Sequence, residues 1–365
     1  MTELEWLEIG YSKNLIEVFE GDEITFSQAY KDWFRMKLKC IKEQSMDRIE
    51  CTYNRYYGGT QLIEKCISTI TETDIIDFLL SCITQNGDMT YKEFARVLQV
   101  ARAPLLYMRD VGKGGAPLLD WDKIKRNLPI SKLESKQKYE FAISMADVEK
   151  LLDNVINWKV YPIKQDACLL LCMNFYLGLR IGELAALCFN DFDFTRNVVK
   201  IYKTETKFFN RDEDGSRLGV MVYRVVDDCK TIYSVREIPI LPEVKYIYDK
   251  ILENHVLNGY DSPYLGYDGT DTILVRSLDR TLRRLCQLCD VPYFNSHEIR
   301  KTFASMMHFH GVPTRMISDL MGHSEIATTE NCYILSYKNN YSNIFAEMQK
   351  SLKYSVSIMD NKKPL

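Results

Sequence analysis

The segment from Ala167 to Leu179, ACLLLCMNFYLGL, is apolar at almost every position, is interrupted by Asn174, and stops at Arg180. It is too short for a bilayer, which takes roughly 20 apolar residues. A helix this apolar therefore belongs to a protein core, and that core must end at a guanidinium. A guanidinium in such a place is unfavourable unless a carboxylate or phosphate meets it. Glu183 lies three residues on, on the same helical face. On this segment alone, a structural Arg180–Glu183 pair and an anion-binding Arg180 are equally open.

The chain has 365 residues, which suggests two domains or three. From Thr25 the pattern is helical. Phe26, Tyr30, Trp33, Phe34 and Leu38 recur at steps of three and four, with Thr25 as candidate N-cap. Two more periodic stretches follow, Ile75–Ile83 behind Thr71 or Thr73, and Tyr91–Met108, where Pro104 predicts a kink or a stop. Together they predict a bundle of about four helices over residues 25–118. A Gly-, Pro- and Lys-rich passage then fades into a linker, 119–140. Periodicity resumes behind Ser144, a cap paired with Asp147. Segments of β type appear at 198–202, 220–226 and 236–241, the first two separated by the polar turn NRDEDGSRLG. Helices return from Pro242. The fold class expected is mainly α, with a small antiparallel β-sheet in a C-terminal domain, 141–350, followed by a tail, 351–365.

Net charge is −3, which argues weakly against a nucleic-acid partner, but its distribution blunts the objection. The leader, residues 1–24, carries seven acidic residues against Lys13 alone, so the rest of the chain is mildly basic. The N-terminus lacks the basic start of a signal peptide, and the expected location is cytoplasmic. The eleven cysteines are odd in number and scattered through apolar segments, as reduced core thiols are. Cys286 and Cys289 form one CxxC, but a structural zinc site needs two more ligands at a recognisable spacing, and His308 and His310 stand too close together. The competing reading, a zinc-dependent regulator, rests on those four residues. No phosphate-binding glycine loop and no two-metal carboxylate cluster appears, so neither a cofactor nor a metal is expected.

Four short segments carry chemistry-bearing residues. LGLRIGEL holds Arg180 and Glu183. CKTIYSVREIPI holds Lys230 at a hairpin edge. NSHEIRKTF places His297 and Arg300 on one face of a helix capped by Asn295, with Glu298 three residues later; the positive helix start favours an anion there. That helix should end at Gly311. LMGHSEIATTENCY sets His323 behind Gly322, a helix stop, and Tyr333 ten residues beyond His323. Singly, each reads as a solvated face or one more packing residue; Tyr333 is one of twenty-three tyrosines.

In this order, Arg, Lys, H-x-x-R and H-x₉-Y, the four segments resemble the boxes of the tyrosine recombinases, the lambda-integrase-like family. The lysine segment is most similar to that of integrases of conjugative transposons. The resemblance covers about 25–345 and implies a two-domain DNA clamp that cleaves and rejoins DNA at specific sites. By that resemblance Tyr333 would attack a scissile phosphate to give a 3′-phosphotyrosine. Arg180 and Arg300 would hold the non-bridging oxygens, and Lys230 would protonate the leaving 5′-oxygen. His297 and His323 would assist, and Glu183 would brace the site. Phosphoryl transfer depends on positioning and charge stabilisation, and two arginine forks suit that task.

Lys301 stands where the family often has a histidine. Lys203 or Lys207 in KTETK is the alternative acid to Lys230. The short leader leads us to expect no arm-type DNA-binding domain. The expected partner is double-stranded DNA, held by a homo-tetramer assembled through the stripe Ile344, Phe345, Met348 and Leu352, with accessory excision or bending proteins and no membrane. A catalytically silent DNA-binding protein and a type IB topoisomerase-like enzyme are the alternatives.

Overall fold

The computed structural model describes residues 23–330, apart from 86, 88, 134–142, 158–164, 228–233, 268 and 270. The chain divides into two units: one comprises residues up to 138 plus Lys207–Val222, the other the remainder. The first is helical. α1 (Phe26–Leu38) starts at Thr25, which exchanges hydrogen bonds with Gln28 in a capping box. Its periodic face buries Phe26, Tyr30, Trp33 and Phe34. α2 (Glu43–Tyr56), α3 (Glu72–Gln85) and α4 (Tyr91–Asp110) complete the bundle. Thr71, not Thr73, caps α3, accepting from the Asp74 amide at 3.3 Å.

Pro104 does not stop α4. The missing N–H forfeits one helical bond, but Val100, Ala101, Leu105 and Met108 on both sides are buried, and that packing holds the helix together. The expected linker, 119–140, also begins as structure. α5 (Trp121–Arg126) is capped by Asp120 and adds Trp121 and Ile124 to the same core, with Leu119 and Leu128 beside them. Two apolar residues three apart in a lysine-rich hexamer are too weak a periodic signal to stand out.

In the second unit, α6 (Met145–Ile156) starts at Ser144, which accepts from the Asp147 amide. α7 (Gln165–Leu177) is buried on all sides and forms the middle of the core. Its one polar interruption, Asn174, closes the helix end: its side-chain oxygen accepts from the Leu179 amide at 2.7 Å, and its amide donates to the Leu179 carbonyl. After α8 (Ile181–Ala185) come β1 (Phe192–Asp193) and β2 (Val198–Ile201). The chain runs on through a hairpin, β3 (Thr204–Arg211) and β4 (Arg217–Val226), and returns as β5 (Arg236–Pro239). β2 is central in an antiparallel sheet, pairing Val199 with Phe192 of β1 and with Ile238 of β5. α9 (Pro242–Asn258), α10 (Val275–Leu288), α11 (Ser296–Phe309) and α12 (Thr314–Met321) follow, and α7 packs against α6, α9, α10 and α11. Cys286 and Cys289 lie in this apolar core, where burial pushes both thiols up.

The protein is thus mainly α with small antiparallel sheet. The hairpin departs from expectation. TETKFFNR, to which the sequence pattern assigns no strand, is β3, and Lys207–Val222 belongs to the first unit. Arg211 is 4% exposed and donates to Asp47 and Glu50 of α2, both at 2.5 Å. Gly215 turns at φ +85°, and a Cβ there would lie 2.9 Å from the Leu38 side chain. Lys230, Tyr333 and the Ile344–Leu352 stripe lie outside the described residues.

Candidate active site

The end of α7 sets the first side chain. Gly178 adopts φ +60°, a left-handed turn that brings its backbone against the Phe303 ring, where no side chain fits. The chain then enters α8 with Arg180 as its N-cap residue. Glu183 reaches back, accepting from the Arg180 amide at 3.0 Å and from Arg180 Nη1 at 2.8 Å. Glu183 is 3% exposed, whereas the Arg180 side chain keeps 42% of its surface open.

A buried carboxylate needs more than one half-exposed partner. Arg236, the first residue of β5, donates Nη2 to Glu183 Oε2 at 2.8 Å and Nη1 to Oε1 at 3.3 Å. Arg300 Nη1 lies 3.9 Å from the same carboxylate. Burial alone would raise the Glu183 pKa, but Arg236, Arg180 and Arg300 outweigh it and hold it at about 2. The cluster therefore carries three cations on one anion.

Arg300 and His297 come from α11. Asn295 caps this helix, accepting from the amides of His297 and Glu298, and Glu298 accepts from the Asn295 amide. Three residues after His297, Arg300 turns into the core and is 1% exposed. It donates to the carbonyls of Gly178, at 2.7 Å, and Met321. His297 stays at the exposed first turn, and partial desolvation of its ring, with Lys301 and Arg300 nearby, lowers its pKa. α11 ends before Gly311, which has φ +79°.

His323 follows Gly322, the left-handed cap of α12. Its Nδ1 pairs with Thr329 Oγ1 at 2.8 Å. Desolvation and then the charges of Arg300, Arg180 and Arg236 push its pKa down to about 4, so the ring is neutral at pH 7. Arg180, Glu183, His297, Arg300 and His323 thus converge from three separate stretches of chain. A half-exposed guanidinium, an exposed imidazole and a neutral histidine over buried positive charge are chemistry that can accept an anion.

The sequence profile of the phage integrase family matches residues 142–340, more than half of the chain. The chain belongs to the phage integrase family. A XerC-like tyrosine recombinase of Caldanaerobacter subterraneus subsp. tengcongensis is 32% identical over 178 residues, 45% of this chain and 44% of the relative. The chain spans about half the length of the curated relatives it matches. The Tn1549 transposon integrase, solved in complex with a circular intermediate DNA, matches with a TM-score of 0.64 at 19% identity, over 90% of this chain and 99% of that one. A lambda integrase dimer bound to a COC′ core site matches with a TM-score of 0.56 at 12% identity, over 83% and 94%. At these identities the likeness to the solved integrases is one of fold.

Within this integrase-family domain, the residue that sequence reasoning missed is Arg236. A signal existed. Arg236 shares one face of β5 with buried Ile238, and an arginine in a core-facing register demands a buried carboxylate. Of the alternative lysines, Lys203 Nζ lies 3.0 Å from Asp191 Oδ2 and 3.0 Å from Cys188 Sγ. Burial alone would lower its pKa, but Cys188 and Asp191 drive it up. Lys207 is exposed and belongs to the first unit.

Proposed function

We propose that the chain is a site-specific DNA recombinase that cleaves and rejoins DNA through a 3′-phosphotyrosine intermediate. What supports the reading is one observation above the others: Arg180, Arg300 and His323, drawn from three sequence boxes, gather around Glu183 at the end of the core helix. A scissile phosphate sits against Arg180 and His297, with Arg300 and neutral His323 supplying charge and a hydrogen bond from beneath. Tyr333 Oη attacks the phosphorus and loses its proton. The bond to the 5′-oxygen breaks, and Lys230 protonates that oxygen to a free hydroxyl. The phosphotyrosine keeps the energy of the broken bond, so religation needs neither ATP nor a metal.

The substrate is double-stranded DNA in the cytoplasm, bound by the helical domain, 25–118, and by the catalytic domain, 141–350. Two duplexes are joined in a homo-tetramer assembled through Ile344, Phe345, Met348 and Leu352. Among the described residues no helix is long and apolar enough to cross a membrane. The test is a nicked suicide duplex carrying the cognate site, found in the DNA flanking the gene. A covalent protein–DNA adduct on that site, and strand exchange between two such sites, is the expected result. Relaxation of supercoils without sequence choice would make it a topoisomerase; site binding with no adduct would make it a silent DNA-binding protein.

A further inference from the structure

Three consecutive carbonyls at the end of α12 are each met by a different arginine. The Leu320 carbonyl accepts from Arg236 Nε at 2.6 Å, that of Met321 from Arg300 Nη2, and that of Gly322 from Arg180 Nη2 at 2.9 Å. The last carbonyls of a helix have no partner within it and carry the negative end of its dipole, so guanidinium groups satisfy both demands at once. The three arginines differ in what else they do. Arg180 keeps an open face. Arg300 reaches the far side of the site through the Gly178 carbonyl. Arg236 is 5% exposed, and its hydrogen bonds go inward: two to Glu183, one to Leu320 and one to the Ser234 carbonyl at 3.0 Å.

We infer that Arg236 is a positioning residue for DNA cleavage, locking Glu183 to the end of α12 and thereby fixing both the Arg180 fork and the place of His323. The inference rests on the recombinase reading and deepens it. Arg236 is too deeply buried to grip a phosphate, so it acts through its neighbours. Glu183 shares its two oxygens between Arg180 and Arg236. With Arg236 gone, the carboxylate keeps Arg180 as its nearest partner, with Arg300 at 3.9 Å, and draws the Arg180 fork away from the phosphate. The Leu320 carbonyl loses its donor at the same time, three residues before His323. A lysine cannot replace it, because one ammonium cannot serve a carboxylate in two-point fashion and two carbonyls besides.

The test uses the full chain with the cognate suicide duplex and the variants Arg236→Lys and Arg236→Gln. Expected is DNA binding within threefold of the parent, with single-turnover cleavage down roughly 10–100-fold, the range for lost partners of active-site groups. A second readout is independent of turnover. The His323 ring faces Arg300, Arg180, Arg236, His297 and Thr329, so removing one cation in Arg236→Gln should raise its pKa in a ¹H–¹⁵N NMR titration of the free protein. Arg236→Lys keeps the charge and should move it less. Cleavage by both variants within threefold of the parent, or an unmoved His323 titration in Arg236→Gln, overturns the inference. So does an Arg236→Lys chain that no longer unfolds cooperatively, which makes the residue a stability element. If the parent forms no adduct while the titration moves as expected, the recombinase reading falls and the bracing of His323 by Arg236 stands.

Discussion

One guanidinium nitrogen of Arg180 donates to the carbonyl of Gly322, 2.9 Å away across 142 positions of sequence. The contact ties the end of the core helix to the cap that introduces His323. It leaves the rest of the Arg180 side chain half-open, while Arg300 beneath it is closed. The two arginines should therefore fail differently when removed.

Arg180→Ala should lose about 3–4 kcal/mol of transition-state stabilisation, roughly 10²–10³-fold in cleavage, with a smaller loss of melting temperature than Arg300→Ala, because its side chain is half-exposed. Arg300→Ala should lose cleavage and also destabilise the fold by about 3 kcal/mol, because Glu183 loses a neighbouring cation and two buried carbonyls each lose a charged donor. Paired cleavage assays and thermal melts separate the two. Equal melting losses in both variants would contradict the exposure difference.

Tyr333→Phe should abolish covalent DNA linkage and leave site binding nearly unchanged, since only a hydroxyl is removed. Denaturing gels of the suicide-duplex reaction give the answer. A persistent adduct would move the nucleophile to Tyr337 or Tyr341.

Acid should weaken the second unit in two steps. The His323 pKa falls from its ordinary 6.5 to about 4 on folding, and that of Glu183 from 4.5 to about 2. In both cases the unfolded chain binds more protons than the folded one between the two values, so stability rises with pH there. The His323 contribution is complete above pH 6.5 and lost as pH falls through 4; the Glu183 contribution is complete above 4.5 and lost toward 2. Chemical denaturation from pH 7 to pH 4 should show a decline that His323→Gln flattens.

Gly178→Ala should be among the most damaging single changes. Its φ of +60° disfavours any Cβ, and that Cβ would lie 2.2 Å from a Phe303 ring atom inside the core. Left-handed strain and overpacking together suggest about 2–5 kcal/mol of lost stability. A melt within 2 °C of the parent would show that the ring moves aside freely.

In the first unit, Arg211→Met should destabilise by about 1–3 kcal/mol, less than the loss for a fully buried pair because Asp47 and Glu50 keep some contact with solvent. Arg35→Met removes an exposed pair with Asp214 and should change stability by less than about 1 kcal/mol. Thermal melts of the two variants rank them.

The sequence alone determined what acts over one turn or one periodic face. Thr25, Ser144 and Asn295 cap their helices because each finds its partner three residues on. The apolar run ending at Arg180 had to be a core helix whose last guanidinium meets a carboxylate or a phosphate, and Glu183 stood within its turn. The recurring boxes marked Arg180, His297, Arg300 and His323, and the chain's family follows from them. Tertiary structure decided what depends on distant partners. Arg236 meets Glu183 across 53 positions and Leu320 across 84, so nothing in its own neighbourhood named either one. Residues 207–222 sit in the second half of the sequence yet belong to the helical unit, because Arg211 finds its carboxylates more than 160 positions earlier. A local pattern records which face of an element is apolar or charged. Which distant group arrives to neutralise a buried charge is fixed only when the core closes and water is excluded, since only then does an unpaired guanidinium or carboxylate become prohibitive.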